Sequence, residues 1–410
     1  MRILIICQYF PPEVAPIGVM MKELADDLAA GGHRVTVVTG FPSHPAGVVF
    51  PGWRQRLARR ERLGGVDVVR CYQFSSPRRT TLSRVLTYAS FGLTALLASL
   101  RLPRQDVALL PSPPLTNGLI AIALSRLRGV PYVFNVQDLY PDAAVNAGVI
   151  TDQRLIGALR RLEGAIYGRA RRVAVISEGF RNAIVAKGQP ADKVDLVYNW
   201  LDASEIAPAP RDNRFARAHG LVGKFVVLYS GTIGLISGAA LLVDCAERLA
   251  RHRDIVFLFV GEGVAKDEVR DLARRRRLAN MVFLPFQPRQ LLPLVQSTAD
   301  VSVVTLGPGM GRTSVPSKVL GYMAAARPVI ASVDADSDTR SLIERADCGI
   351  TVAPGDAPAL ADAILALRRD RARRARLGRN GRDFLRRYCE RRAATAAYQR
   401  LLARAGRGGP

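Results

Sequence analysis

Lysine is nearly absent from this chain: it supplies six of 59 basic residues, and arginine supplies the rest. Cysteine is also scarce. Cys7, Cys71, Cys245, Cys348 and Cys389 are far apart and form no CxxC pair, which excludes a disulfide framework and reads as reduced packing residues in a cytoplasmic protein. Four isolated histidines, His33, His44, His219 and His252, lack metal-ligand spacing, so no zinc site is expected. Aromatics make up only 7%, and no stacking or base-reading motif accompanies the charge, which argues against nucleic acid. The N-terminus has no cleavage site of a signal peptide. Between Arg84 and Arg101 lie sixteen uncharged residues, short of the roughly 20 that span a bilayer. Two readings of Leu82–Leu102 remain, a core helix or a membrane-surface helix flanked by arginines.

What is abundant is positive charge and α/β rhythm. The formal charge of +24 suits either solvated helix faces or attraction to anionic membrane and phosphorylated substrates. Length allows two domains with separate cores. Ile3–Cys7, a proline-rich loop, the helix Val19–Ala30 and Val35–Thr39 form a strand–loop–helix–strand opening, which predicts a ligand crevice at strand C-termini. Gly18 precedes that helix. The rhythm runs on to Tyr132–Val136, which delivers Asp138 to its C-terminal end, where polar residues serve ligands. Ile206–Asn213, with two prolines and charge, reads as a linker. Beyond it the alternation restarts at Phe225–Tyr229, with a loop from Ser230, and Ile255–Val260 ends in Gly261-Glu262-Gly263. The tail Arg369–Leu402 is arginine-dense and helix-prone.

The stretch Thr305–Val333 organises the second half. A buried strand ends in Gly307, Pro308, Gly309 and Gly311, whose backbone can lie close to a ligand. Ser314 is then a candidate N-cap and Pro316 a first-turn residue of a helix running through Lys318. A helix N-terminus flanked by Arg312 and Lys318 suits an anion, and a diphosphate would fit.

In order from Gln8 to Asp356, the segments QYFPPEVAPIG, FPSHPAG, FNVQDLYPD, VISEGFRNAIVAKG, VYNWLD, VVLYSGTIG, FVGEGV, VPSKVLGYMAAARPVIASVD and CGITVAPGD resemble glycosyltransferase family 4. The likeness is to its branch from colanic-acid, capsule and O-antigen clusters. The resemblance implies an α/β GT-B fold: two facing Rossmann-like domains, a cleft between them and a C-terminal helix crossing back. The expected domains are 1–205 for the acceptor, 214–368 for the nucleotide sugar, and the helical tail 369–410 returning to the first. It also implies retaining transfer of a hexose, or an acetamido- or deoxy-hexose, without a metal or other cofactor. The donor would be a UDP- or GDP-sugar and the acceptor a polyprenyl-diphosphate-linked saccharide. Work would take place at the anionic inner face of the plasma membrane. Asp138, Arg312 and Lys318 are the catalytic candidates. Gly18, Ser230, Gly231, Thr232, Gly234, Glu262, Thr313, Ser314, Val315, Pro316, Ser317 and Gly321 are the donor-binding ones.

The sequence departs from the family pattern. Aligned on Pro328, Thr313 and Gly321 stand where many members carry two glutamates. Thr232 and Ser237 stand where many carry an arginine and a lysine. Arg312 and Lys318 are expected to take over the charge stabilisation. The alternative is a catalytically silent sugar-nucleotide-binding or scaffold homologue. A nucleotide-sugar epimerase on the same fold would need an acid/base set that nothing here clearly supplies.

Overall fold

Apolar runs flanked by turns become the strands of two sheets in the computed structural model. It describes residues 1–410 apart from 14, 79, 147, 235–236, 312–317, 407–410 and the side chain of 81. One unit takes in Met1–Tyr198 together with the chain from Ala394 onward, and the other Asn199–Ala393.

The first unit holds β1 (Arg2–Ile6), β2 (Arg34–Gly40), β3 (Ala58–Leu63), β4 (Val66–Cys71), β5 (Val107–Ser112), β6 (Tyr132–Val136), β7 (Arg172–Val175) and β8 (Val194–Leu196). They align as β3-β4-β2-β1-β5-β6-β7-β8. All pairs are parallel except the β3–β4 hairpin. Every residue of β5 and β6 is buried, as expected of central parallel strands covered on both faces, so these runs were readable from hydropathy. β3 was not, because Arg59, Arg60 and Arg62 hide it in a basic segment. They are exposed along the sheet edge, where charge discourages pairing with another chain. The neighbouring Arg70 is fully buried. Its guanidinium donates to Glu61 at 2.6 Å and to the Gly40 carbonyl at 3.3 Å, and lies 4.7 Å from the Trp53 ring centroid. Such partners offset the desolvation of a buried cation.

The helix Thr81–Leu100 turns one face to the core and leaves an apolar one exposed. Phe91, Ala95 and Ala98 are buried, while Leu82, Val85, Leu86, Leu93 and Leu97 are exposed, Leu82 by 67% and Leu93 by 60%. Among the described residues, no helix is long and apolar enough to cross a membrane.

The second unit holds β9 (Phe225–Ser230), β10 (Ile255–Val260), β11 (Met281–Leu284), β12 (Val301–Thr305), β13 (Val329–Ser332) and β14 (Gly349–Val352). They form a parallel sheet ordered β11-β10-β9-β12-β13-β14. The rings of Tyr229, Phe259 and Phe283 stack in sequence, with centroids 5.4 and 4.8 Å apart.

Two sequence expectations need correcting. Residues 206–213 are not a free linker but belong to the second unit. Ile206 is buried, the Ala209 N–H donates to Ser297 Oγ at 2.9 Å, and Arg211 pairs with Asp300 at 2.7 Å. Asn213 caps the helix Arg214–Ala218. Prolines and charges look like a linker in sequence, but here Ala209, Arg211 and Asn213 all bond to the second unit. Nor does the tail join the first unit from residue 369. The helix Arg371–Phe384 stays with the second unit, because Gly378 and Gly381 admit close packing. A Cβ on Gly378 would lie 2.2 Å from the Ala326 carbonyl oxygen, and one on Gly381 3.0 Å from Cys348 Cβ. A π-helical turn, Leu385–Cys389, follows. The helix Arg391–Gly406 then buries Tyr398, Leu401 and Leu402. Its Thr395 Oγ1 donates to Asp27 at 2.8 Å, and Arg404 donates to Asp195 at 2.6 Å.

Candidate functional site

In the second sheet the chain steps from β9 outward to β10 and β11, then returns to β12 and steps outward the other way. The connections leaving the C-terminal ends of β9 and β12 therefore lead to strands on opposite sides of the sheet. In doubly wound sheets ligands bind at this switch point.

The loop after β9 is clamped to that after β10. The Gly231 N–H donates to the Val260 carbonyl at 2.9 Å, Ile233 to Glu262 at 2.9 Å, and Ala265 back to Ile233 at 3.1 Å. Side chains at Gly261 and Gly263 would come within 2.0 Å of Gly231 O and 2.3 Å of Ile233 O. These two glycines serve the clamp. Gly231 itself has φ 126°, which favours glycine. The Glu262 carboxylate, half-exposed, pairs with Lys266 at 2.7 Å. Thr232 is exposed and Gly234 half-buried.

Ser230 is held from below by Tyr322, which sequence reading missed. The Ser230 N–H donates to the Tyr322 hydroxyl at 2.9 Å. That hydroxyl lies 3.2 Å from the Ser230 carbonyl and 3.4 Å from that of Val303. One buried phenol thus fastens the helix Lys318–Ala324 to both β9 and β12. Burial pushes its ionisation far up, so it stays a neutral hydrogen-bonding group.

On the first turn of that helix, the Lys318 ammonium lies 3.8 Å from the Tyr229 ring centroid. Its Cε lies 3.4 Å from where a Cβ on Gly231 would sit. Among the described residues it has no carboxylate or hydrogen-bond partner. Burial lowers its pKa to about 8, since desolvation disfavours the charged form. A cation–π contact offsets this only partly. A half-buried lysine beside Gly231, lacking a counter-charge among the described residues, is suited to an anion. Tyr229, whose hydroxyl donates to the Thr232 carbonyl at 3.0 Å, was also missed. Its strand alternation reads as core, and its partner lies 89 residues on in sequence.

The glycine-rich loop after β12 differs from the sequence reading. The Gly309 and Gly311 N–H groups each donate at 3.0 Å to the two oxygens of Asp334, so that carboxylate, not a ligand, occupies them. Gly238 (φ 57°) lies against the Leu306–Gly307 backbone. Arg312, Thr313, Ser314, Val315, Pro316 and Ser317 lie outside the described residues. Gly321 is buried, and a Cβ there would meet Gln296 Nε2 at 3.6 Å and Ile206 Cδ1 at 3.8 Å. Gln296 Nε2 in turn sits 3.4 Å from Ser230 Oγ, so an amide occupies the space beside Ser230.

Gly18 and Asp138 belong to the first unit. A Cβ on Gly18 would lie 2.8 Å from Tyr9 O, so close packing of its own loop requires the missing side chain. Asp138 follows β6, and burial raises its carboxyl to about 6. Its side chain has no partner among the described residues, leaving it poised between acid and base near neutrality. Among the described residues no group of three or more His, Cys, Asp or Glu is placed to hold a metal ion.

Comparison with known proteins adds the following. Residues 17–200 match the model for a glycosyl transferase 4-like domain, and residues 224–370 that for glycosyl transferases group 1. The chain is 28% identical over 358 residues to the putative colanic acid biosynthesis glycosyl transferase WcaI of Escherichia coli K12, covering 84% of this chain and 86% of that protein. It is 29% identical over 302 residues to the probable glycosyltransferase WbjE of Pseudomonas aeruginosa, covering 72% and 74%. In fold it resembles Anabaena HepE in complex with UDP, with TM-score 0.70 at 17% identity, covering 98% of this chain and 100% of that one. Against HepE with UDP-glucose the TM-score is 0.69 at 15% identity, covering 98% and 99%.

Proposed function

This chain belongs to the family 4 glycosyltransferases of GT-B fold, and we propose that it is a retaining hexosyltransferase. It takes a hexose, or an acetamido- or deoxy-hexose, from a UDP- or GDP-sugar to a polyprenyl-diphosphate-linked saccharide of a surface polysaccharide. The observation that carries the reading is the Lys318 ammonium beside Gly231 at the switch point of the second sheet, without a counter-charge among the described residues. The UDP and UDP-glucose complexes of the structural neighbour HepE support a nucleotide-sugar donor.

In this reading the donor diphosphate is held by Lys318, with Arg312 and the residues from Thr313 to Ser317 around it. Ser230, Gly231, Thr232 and Gly234 line the phosphate loop, and Glu262 meets the ribose or base. As the acceptor oxygen bonds to the anomeric carbon, the bond from that carbon to the diphosphate oxygen breaks. Negative charge grows on the diphosphate, and a fixed cation stabilises it more in the transition state than in the ground state. Lys318 and Arg312 supply that charge, with no metal or other cofactor invoked. Asp138 contacts the reacting sugar or the acceptor hydroxyl. The exposed leucine face of Thr81–Leu100, with arginines at both ends of its segment, supports peripheral attachment to an anionic membrane surface.

The second reading, a silent sugar-nucleotide binder, draws on Gly321. No carboxylate stands there, and Gln296 occupies the space. Acceptor-free hydrolysis separates the two. The pure protein incubated with UDP-glucose, UDP-N-acetylglucosamine or GDP-mannose should release free sugar slowly from one of them. Lys318→Ala should lower that rate by an order of magnitude or more with folding intact. Donor binding without release would favour the silent reading, and unchanged release in the variant would remove Lys318 from the mechanism.

A further inference from the structure

The helix Gln153–Arg169 buries Ile156, Ile166 and Tyr167, as its apolar spacing requires, and on the same stripe it buries a carboxylate, Glu163. A buried carboxylate is costly unless a group of opposite charge meets it in good geometry. Lys187 does so. It ends the helix Glu178–Ala186, and its ammonium donates to the two Glu163 oxygens at 2.7 and 2.9 Å. The same ammonium pairs with Asp142 Oδ2 at 2.7 Å. An ammonium has three hydrogens, and three carboxylate oxygens surround this one. Asp142 Oδ1 accepts in turn from Arg160, at 3.1 and 3.3 Å. Burial pushes the Asp142 carboxyl up, but the bonds and charges of Lys187 and Arg160 outweigh it and hold it below the usual range.

A cavity of about 410 Å³ opens beside this group, and its charged walls are Asp142, Arg160, Glu163 and Lys187. Two acids there face two bases and are already paired with them. The cavity therefore offers an ionic ligand no unmatched charge, and the consequence of the network is mechanical.

What the network holds is the segment after β6. Asp142 opens the short helix Asp142–Asn146, four residues beyond Asp138. Backbone bonds leave little slack between the two. The Tyr140 N–H donates to the Asp138 carbonyl at 3.0 Å, Ala143 to Leu139 at 2.8 Å, and Ala144 to Pro141 at 2.9 Å, and Leu139 is buried. What fixes Asp142 thus fixes Asp138 as well. Glu163 and Lys187 lie on separate helices, 24 residues apart, so only packing brings them to this task.

We propose that Lys187 is a positioning residue: by bridging Glu163 and Asp142 it ties two helices of the first unit to the segment that carries Asp138. The proposal rests on the reading of Asp138 as a group that touches the reacting sugar or the acceptor hydroxyl, and it extends that reading to residues that touch neither.

The test is the titration of Asp138 in the full chain, by carbon NMR of aspartate-labelled protein, with Asp138→Asn identifying the resonance. In wild type the carboxyl should titrate at about 6, where burial puts it. Lys187→Met and Asp142→Asn should each loosen the segment and let the carboxyl fall below about 5. Lys187→Met leaves Glu163 buried without its cation and should also lower Tm. Asp142→Asn keeps the Lys187–Glu163 pair, so it reads the tether with the fold intact. Lys187→Arg, whose larger head the adjoining cavity can take, should titrate as wild type does. Arg172→Met breaks another ion pair of the same unit, that with Asp195 at 2.8 Å, and should leave Asp138 at about 6 whatever it does to Tm. Asp138 staying at about 6 in both Lys187→Met and Asp142→Asn overturns the proposal, and so does an equal fall in Arg172→Met.

Turnover tests the underlying reading separately. The activity that Asp138→Asn loses should fall about tenfold or more in Asp142→Asn, in kcat rather than in donor KM, and should persist in Lys187→Arg. Full activity in Asp138→Asn would overturn the role of Asp138, and the titration alone would then decide whether Lys187 holds it.

Discussion

Lys318 has an ammonium whose neighbours are an aromatic ring and glycine backbone, with burial lowering its pKa to about 8. Because the folded-state value lies below the ordinary lysine value, the unfolded chain binds more protons between the two. This group's contribution to stability therefore rises with pH from about 8 toward the ordinary lysine range. A bound diphosphate reverses the imbalance by restoring the charged form. Nucleotide binding should take up a proton at pH 8–9 and weaken as pH rises above about 8. Calorimetry in buffers of different ionisation enthalpy measures that uptake. Lys318→Met removes an uncompensated charge, so the free protein should keep or raise its Tm. UDP or GDP, whichever stabilises wild type, should no longer do so. A variant that keeps both the proton uptake and the stabilisation would show that the anion binds elsewhere.

At the scale of elements, the helix that carries Lys318 is short, and its position depends on what packs behind it. The helix Arg371–Phe384 approaches through Gly378 and Gly381. Gly378→Ala would place a methyl 2.2 Å from the Ala326 carbonyl oxygen, forcing a backbone shift that costs about 1–3 kcal/mol. Urea unfolding should register that loss, and Lys318-dependent turnover should fall with it. The helix Thr81–Leu100 poses the opposite case, an apolar face left exposed among the described residues. Replacing the exposed Leu86 and Leu93 with Glu should leave Tm nearly unchanged. Flotation with vesicles containing anionic lipid should be lost, and persistence of flotation would remove this face from the membrane reading.

At the scale of the whole molecule, each sheet has its own core, and the last helix belongs to the first unit. Tyr398, Leu401 and Leu402 are buried, Thr395 bonds Asp27, and Gly406 lies against Asp106 and Val107 beside β5. Ending the chain before Ala394 should therefore loosen the first unit while sparing the second. Hydrogen exchange should quicken in β1 and β5 and stay slow in β9 and β12. Equal loosening of both sheets would mean the helix supports the second core as well.

By itself the sequence determined the alternation of strands and helices, the doubly wound class and the family. Such features depend on local runs of buried residues and on short ordered motifs, which survive in one dimension. Tertiary structure alone decided the rest. It assigned residues 206–213 and the helix Arg371–Phe384 to the second unit, and showed the basic segment at Ala58–Leu63 to be an edge strand. It showed Gly18, Gly261, Gly263, Gly309 and Gly311 to be taken up by the chain's own packing, and it placed Tyr229 beneath Lys318, Lys318 beside Gly231, and Tyr322 against Ser230. Each of these depends on a partner distant in sequence. A glycine facing a ligand and a glycine facing a carbonyl are the same letter until the chain that supplies the carbonyl has folded against it.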